Sequence, residues 1–588
     1  MDPALESRIQ KLLLNNEPPL GDIVADLDKF TKVERDALAS IRDQIAKLDH
    51  ELATLQLERE RLEDYLRPFN TILSPARRLP FDILALIFWH CLPDNAPPSM
   101  IFSEAPLLFT HVCRMWKEIA LSSPRLWTSA YIRWTSTQGK DGDSSDQSLT
   151  RTEATNAMMQ QCDLLEAWLD RSGPCLPLYL DVEYEYIGND NFIPQDCTIT
   201  RRTISILASR LPRWAVVRMR IPFEIYEEFD RLLKPYGSPL MLQALDIRLF
   251  DYGQGRASRN QQGIESGRLL VEAPRLRRLS THWAVWDTLT LSLSSHLTYL
   301  DCFFYPFDHQ AALELLSRLP LLIECRLTLS SNWDAVEPNM ATFLPNLKSL
   351  KIIDNGIILC HIKIAFYNCL SMPNLESLSD KRLFSAHPPS MDEIAVTGHP
   401  LFFAIHKNKL NLKSLAFAHY GVQGSAIEQV FKNLPSLTRL QLGAVDFYGV
   451  PGAYIQHPVN HYEYFDLCAL IIDVDDHDRY SQNSRTTATS RALPLLPNLT
   501  QFVARGIQHI SDDTLSQFIL SRLDPVANAK RGIATLKLVE VEFARFMEQD
   551  IGPVIMQRAK DVGVEDFQLR LEYLPIPEGT VRCVSPFD

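Results

Sequence analysis

Residues able to catalyse reactions are present in this chain, but their spacing does not build a known reaction centre. Gly253 and Gly255 are followed by Ser258 where a dinucleotide-binding loop needs a third glycine. The run Gly421–Gly424 is not followed by the lysine of a phosphate-binding loop. GxSxG, HExxH and paired CxxC motifs do not occur in the sequence. We therefore predict that the chain is not an enzyme and has no catalytic or cofactor-binding residues.

A metal site is the next chemical possibility. His457 and His461 lie four residues apart, the spacing at which a helix presents two zinc ligands on one face. Pro458 lies between them and would disrupt such a helix. Further oxygen and nitrogen ligands follow at Asp473, Asp475, Asp476 and His477. We predict that these residues belong to solvated loops and bind no metal.

Composition indicates a soluble intracellular protein of several parts. The 588 residues are too many for one compact core, and 46% hydrophobic with 22% charged residues is typical of folded proteins. A net charge of -13 without any basic run argues against nucleic-acid binding. The N-terminus lacks a signal-peptide pattern, no apolar run is long enough to span a membrane, and the 11 cysteines have no paired spacing. We expect a cytoplasmic or nuclear location.

The N-terminal region is predicted to be helical. A short helix is expected within residues 1–25. From residue 26 to 68 apolar residues recur at heptad spacing among charged ones, which is typical of a coiled coil, and Pro68 is expected to end this helix. The heptad seam consists of Leu38, Ile41, Ile45, Leu48, Leu52, Leu55, Arg59, Leu62 and Leu66. It could pair with a second copy of the chain or a partner helix. Alternatively, it could pack on the short N-terminal helix or on the domain that follows.

A compact block over residues 72–133 carries many large apolar residues. The strings LPFDILALIF, VCRMWKEIA and SPRLW follow one another in it. Pro80 and Asp82 suit the start of a helix, and Ile83, Leu84, Ile87 and Phe88 are expected to share one face of it. A second amphipathic helix is predicted over 108–120. So small a block cannot bury all its large apolar side chains, so some are expected to face a partner.

These three strings, in this order, resemble the F-box, a three-helix module that binds the Skp-family adaptor of cullin-based ubiquitin ligases. The coil before them and the leucine-rich tail after them resemble F-box proteins of mushroom-forming fungi. Asp82 stands where the family usually has Glu, and residues 93–105 lengthen the connection between the first two helices. The resemblance implies adaptor binding by eleven residues, the last two bracing the far side: Leu79, Pro80, Ile83, Leu84, Ile87, Leu107, Val112, Cys113, Trp116, Leu126 and Trp127.

The remainder, residues 158–588, repeats a short leucine string of the form (L)P-x-L-x-x-L. Leu276 and Leu297 are 21 residues apart, and Leu347 and Leu375 are 28 apart, within the roughly 20–29 residues of leucine-rich repeats. Helical stretches lie between the strings. We therefore predict an irregular α/β leucine-rich-repeat-like solenoid of about nine to eleven units, without the asparagine ladder of regular repeats.

The predicted protein is thus multi-domain: a coiled coil, an F-box, a polar linker over 134–157 and a solenoid. The resemblance implies a substrate-recognition subunit of an SCF-type (Skp-cullin-F-box) E3 ubiquitin ligase, with the adaptor joining it to a cullin. The solenoid would hold an unidentified protein substrate, and the loops 379–400 and 475–491, with Trp283, Trp286 and Trp333, are candidates for that contact. The alternative is an F-box-bearing scaffold that acts outside any ubiquitin ligase.

Overall fold

The computed structural model describes most of the chain. The described residues are 3–14, 18–19, 21–94, 96–135, 151–185, 197–250, 273–281, 296–330, 340–355, 360–382, 400–417, 424–443, 467–472, 494–507, 509–543 and 545–573. They divide into two compact units, Met1–Ile87 and Phe88–Asp588. Among the helices of the described residues, none is both long and apolar enough to cross a bilayer.

The first unit is dominated by one long helix. Helix α1 is Pro3–Leu14 and helix α2 is Gly21–Ile72, whose 52 residues extend about 78 Å. Pro68 lies inside α2, so the expectation that it ends the helix is wrong. Proline removes one backbone N–H and crowds the preceding turn, which weakens a helix near its end without having to stop it. A 3₁₀ turn, Pro75–Arg78, follows.

The apolar seam of α2 faces solvent. Its eight leucine and isoleucine side chains keep 47–63% of their surface exposed. The α1–α2 junction is instead held by the Arg8–Asp22 ion pair at 3.0 Å, and Ile23 is buried there. Helix α1 therefore does not cover the seam, which was one of the arrangements considered from the sequence.

The second unit contains a large parallel sheet. Fourteen of the described strands pair in chain order, each parallel to the next, while β8 and β10 form a separate parallel pair. The strands are β1 Ser129–Thr135, β2 Leu178–Glu185, β3 Trp214–Pro222, β4 Ala244–Phe250, β5 Arg278–Thr281, β6 Tyr299–Phe307, β7 Glu324–Ser330, β8 Thr342–Phe343, β9 Ser349–Asn355, β10 Leu370–Ser371, β11 Ser377–Arg382, β12 Ser414–Phe417, β13 Arg439–Gly443, β14 Gln501–Ile507, β15 Leu538–Phe543 and β16 Gln568–Glu572.

Helices lie between many of these strands. Three helices precede β1: α3 Phe81–His90, α4 Phe109–Val112 and α5 Arg114–Leu121. The helices between strands are α6 Arg151–Arg171, α7 Cys197–Ala208, α8 Phe223–Leu233, α9 His309–Ser317, α10 Cys360–Cys369, α11 Pro400–Asn408, α12 Gly424–Lys432, α13 Asp512–Ser521, α14 Pro525–Arg531 and α15 Gly552–Asp561. Parallel strands in sequential order joined through helices make an α/β solenoid-like region. Along strands such as β15, buried and half-exposed residues alternate, so one sheet face is buried in the core and the other, here called the open face, is accessible.

The structure contains an asparagine ladder, although at a position different from that of the ladder in regular leucine-rich repeats. The side-chain amides of Asn346, Asn374 and Asn498 donate to the carbonyls of Pro320, Pro345 and Pro435, at 3.2, 2.7 and 2.8 Å. Each bond joins the proline–asparagine corner of one unit to the preceding one. The ladder therefore provides hydrogen-bond donors for turn carbonyls that precede successive strands.

The sheet begins earlier than the leucine strings indicate. Strand β1 starts at Ser129, inside the block predicted to extend to residue 133, and α6 starts at Arg151, inside the predicted linker. The fourteen paired strands exceed the nine to eleven units expected. Strands β1 to β4 lack the leucine string because other side chains fill the same core positions, among them the buried Trp214.

Candidate partner-binding helices

The first part of the candidate site is the start of α3. Leu79 is extended (φ -71°, ψ 135°), and the carbonyl of Pro80 accepts a hydrogen bond from the Leu84 N–H at 3.1 Å. Pro80 thus lies just before α3 and accepts its first hydrogen bond, at a position where no helical hydrogen bond needs the N–H that proline lacks. Ile83 and Ile87 are 44% and 41% exposed. Because they lie four residues apart, they share one face.

The expectation that Ile83, Leu84, Ile87 and Phe88 form one face is corrected by their burial. Leu84 is 2% and Phe88 1% exposed, whereas the two isoleucines are accessible. The helix therefore has two apolar stripes: Leu84 and Phe88 on a buried side, Ile83 and Ile87 on an exposed one. Pro80 is exposed and Leu79 half-buried.

The second part of the site is two short helices where the sequence predicted one. Helix α4 ends at Val112, Cys113 is extended with φ -160°, and α5 begins at Arg114. The Cys113 sulfur accepts the Trp116 N–H at 3.5 Å, so Cys113 acts as the N-cap of α5. The break exposes Cys113 and leaves Val112 52% exposed.

An aromatic cluster holds these helices together. The ring of Phe88 stacks on Phe109 with centroids 4.2 Å apart and lies 4.9 Å from the ring of the half-buried Trp116. Leu107 is buried at 4% exposure. Trp116 is therefore mainly a packing residue here, since its ring contacts Phe88.

The last predicted residues join the helices to the sheet region. Leu126 and Trp127, in the 3₁₀ turn Pro124–Trp127, are 1% and 0% exposed. The Trp127 indole N–H donates to the Ala120 carbonyl at 2.9 Å, and its ring meets Trp168 of α6 edge-on at 4.9 Å. These two residues therefore pack inside this part of the protein and connect α5 to α6.

Three exposed apolar residues near Val112 were missed. Leu108, Met115 and Leu121 are 42%, 38% and 37% exposed. The spacing of Leu108, Val112 and Met115 by four and three residues is the signal that could have identified Leu108 and Met115, but it does not extend to Leu121. The accessible apolar surface around Val112 therefore includes more residues than the sequence predicted.

The open face of the sheet is the second candidate surface, and its N-terminal strands carry paired charges. Arg218 on β3 lies 3.1 Å from Asp181 and 3.4 Å from Asp246, and Arg220 lies 2.9 Å from Glu183. Burial raises the pKa of the Asp181 carboxyl even though Arg218 acts to lower it. These charges are largely satisfied within the sheet.

Other predicted features lie outside the described residues. They are the glycines from 253 to 255, the histidines 457 and 461 with the following acids, Trp283, Trp286, Trp333 and the loop 475–491; of the loop 379–400 only its first four residues and Pro400 are described. Within the described part of the chain, no three His, Cys, Asp or Glu side chains are grouped so that they could hold a metal ion.

Comparisons with known proteins add little. No protein-family profile matches the chain, and no curated protein matches it. Solved structures do match, among them a chain of the yeast Rad7 and Elc1 complex, with 14% identity, covering 71% of this chain and 96% of that one at a TM-score of 0.27. So distant a likeness carries no functional argument. What the fold itself defines is a long N-terminal helix followed by an α/β solenoid-like region.

Proposed function

We propose that the chain is a substrate-recognition subunit of an SCF-type ubiquitin ligase. The F-box-like helices would bind a Skp-family adaptor, and the solenoid-like region would hold a target protein. The observation that carries the proposal is the exposure, between 41% and 52%, of Ile83, Ile87 and Val112. Apolar side chains of this size are unfavourably exposed to water, and burying them in an interface lowers the free energy of the system.

The eleven residues take two roles in this proposal. Pro80, Ile83, Ile87, Val112 and Cys113 are accessible and would contact the adaptor directly. The half-buried Leu79 and Trp116 would border that contact. The buried residues Leu84, Leu107, Leu126 and Trp127 would fix the positions of the helices that present it.

The mechanism is one of positioning. The adaptor and a cullin would hold the chain near a conjugating enzyme, and the bound target would meet that enzyme at a raised effective concentration, of the order of millimolar for short flexible tethers. This chain would make and break no covalent bond. Target choice would then reside in the solenoid-like region.

The test is co-expression with a Skp-family adaptor and a cullin, followed by affinity purification of the full chain. Ile87→Asp and Val112→Asp should each abolish recovery of the adaptor, because each buries a charge in an apolar contact. Val554→Asp is the control, since Val554 is 56% exposed and lies on α15 in the C-terminal part of the chain. Adaptor recovery that survives both substitutions would contradict the assigned surface. Adaptor recovery without the cullin would favour a scaffold outside the ligase.

We further propose that the seam of α2 pairs with α2 of a second copy. Its eight exposed apolar positions span four heptads, enough for a stable coil. Arg59, at a seam position, lies 3.5 Å from Glu63, and a seam arginine disfavours larger bundles. Leu48→Glu should convert a dimer to a monomer in analytical ultracentrifugation at micromolar concentration. Leu57→Glu, outside the seam and 68% exposed, is the control. A monomeric wild type would end this proposal.

A further inference from the structure

The open face of the sheet changes character toward its middle. On β3 and β4 each arginine has carboxylate partners in the sheet, as shown for Arg218 and Arg220. From β7 to β14 five strands each contribute one cation to the same face. We name this set the basic cluster: Arg326 of β7, Lys351 of β9, Lys381 of β11, Arg439 of β13 and Arg505 of β14.

The strand register brings these cations into a band that covers five residue positions along the strands, since Arg439 is level with Ser377, four residues before Lys381. Arg326 is opposite Lys351, and Lys381 is opposite Ile353, two residues beyond Lys351. Strands β7 and β14 are five strand steps apart in the sheet order. At about 4.8 Å per step the band extends about 24 Å across the strands.

Two carboxylates lie at the borders of the basic cluster. Arg326 lies 3.7 Å from Asp301, and Arg505 lies 3.9 Å from Glu540, both at the outer limit of an ion pair. Within the part of the chain that the structure describes, the exposed Lys351 forms no salt bridge. Five cations are thus gathered on one face of the sheet in a chain whose net charge is -13.

Lys381 lies at the centre of this charge and is only 7% exposed. Burial, followed by Arg505, Lys351, Arg326 and Arg439 in that order, lowers its pKa to about 8. Its ammonium group is therefore destabilised by its surroundings. An anion placed on the cluster would relieve this repulsion.

We propose that the basic cluster binds an extended acidic segment of a target protein, lying across the strands with Asp and Glu carboxylates paired to the five cations. The inference rests on the proposed role of the solenoid-like region as the target-binding part. A band of about 24 Å matches about seven extended residues. Acidic residues on β15 and β6, such as Glu540 and Asp301, lie at its borders, so a short segment suits it better than a long nucleic-acid backbone.

The experiment uses the full chain and a fluorescein-labelled peptide of about eight residues with alternating Asp and Ser. Fluorescence anisotropy should show binding at least about tenfold tighter than that of the same peptide with Asn for Asp. Lys351→Gln should weaken binding about fivefold and Lys351→Glu about tenfold or more. Lys530→Gln, an exposed lysine on α14 with the same charge change, should leave binding unchanged.

Three results would overturn the inference. They are equal binding of the Asn peptide, unchanged binding by both Lys351 variants, and tighter binding of a single phosphoserine peptide or a short single-stranded DNA than of the Asp peptide. Adaptor recovery is measured on the same preparations. If the adaptor is retained and the Asp peptide does not bind, this inference fails alone, whereas loss of adaptor recovery by the wild-type chain contradicts the proposed function.

Discussion

Replacing Lys363 by methionine should destabilise the middle of the sheet. The Lys363 ammonium nitrogen lies 2.6 Å from an Asp354 oxygen and 2.5 Å from an Asp380 oxygen, and the Tyr367 hydroxyl donates to Asp380 at 2.8 Å. All four residues are at most 5% exposed. Burial acts to lower the pKa of Lys363, but the two carboxylates outweigh it and raise the pKa above its usual value. The lysine is therefore charged at neutral pH and is the cation shared by the two acids.

Methionine keeps the length of the side chain and removes its charge, which leaves two buried carboxylates without their cation. Removing one partner of a buried ion pair costs about 3–5 kcal/mol. Because repeat-like arrays open locally, this loss should appear as faster amide exchange in β9 and β11 rather than as global unfolding. A loss of that size corresponds to about 150- to 4,000-fold lower protection.

Hydrogen–deuterium exchange with mass spectrometry, on segments covering 349–355 and 377–382, measures this protection. Lys413→Met is the matched control: Lys413 lies 2.8 Å from Glu376, but the two side chains are 62% and 41% exposed, so the cost should be about 0–1 kcal/mol. If the two methionine variants change exchange equally, burial does not strengthen the Lys363 network and the reasoning is refuted.

Two further predictions concern other cations of the sheet-containing unit, Arg522 and Lys381. Arg522 is fully buried and donates hydrogen bonds to the carbonyls of Leu470, Leu495 and Leu496 at 3.0, 2.6 and 3.0 Å. Arg522→Met should therefore lower the free energy of unfolding by about 3 kcal/mol. An unchanged midpoint of urea unfolding would contradict this prediction. Binding of the Asp peptide should weaken as pH rises through about 8, because Lys381, surrounded by Arg326, Lys351, Arg439 and Arg505, then loses its charge. Anisotropy titrations from pH 7 to 9.5 should show this fall in the wild type and little of it in Lys381→Met; equal pH dependence in both would refute the assignment.

Local patterns in the sequence predicted the main elements. Heptad spacing indicated the long helix, and leucine strings indicated the strands β5, β6, β9 and β11 to β14, because each signal repeats along the chain. Strand β1 lies before the predicted solenoid, and β2 to β4 lie inside it but could not be located because no string marks them. Pro68 was misjudged because one proline does not decide where a helix ends when the residues around it favour helix.

The candidate site was predicted only in part, since periodicity does not say which apolar stripe is covered. Ile83 and Leu84 are neighbours in the sequence, yet one is exposed and the other buried. Nor could the sequence have predicted the Lys363 network, because its acids come from two different strands, 9 residues before and 17 residues after the lysine. Such contacts depend on the register of the strands.

The most direct test of the account is the affinity of the full chain for a purified Skp-family adaptor, measured by isothermal titration calorimetry. The account predicts saturable binding by the wild type and by Val554→Asp. It predicts that Ile87→Asp and Val112→Asp each lower the affinity for the adaptor at least about 30-fold, since a central interface residue contributes about 2 kcal/mol or more to the binding free energy. No binding by the wild-type chain, or equal affinity in all four proteins, would contradict it.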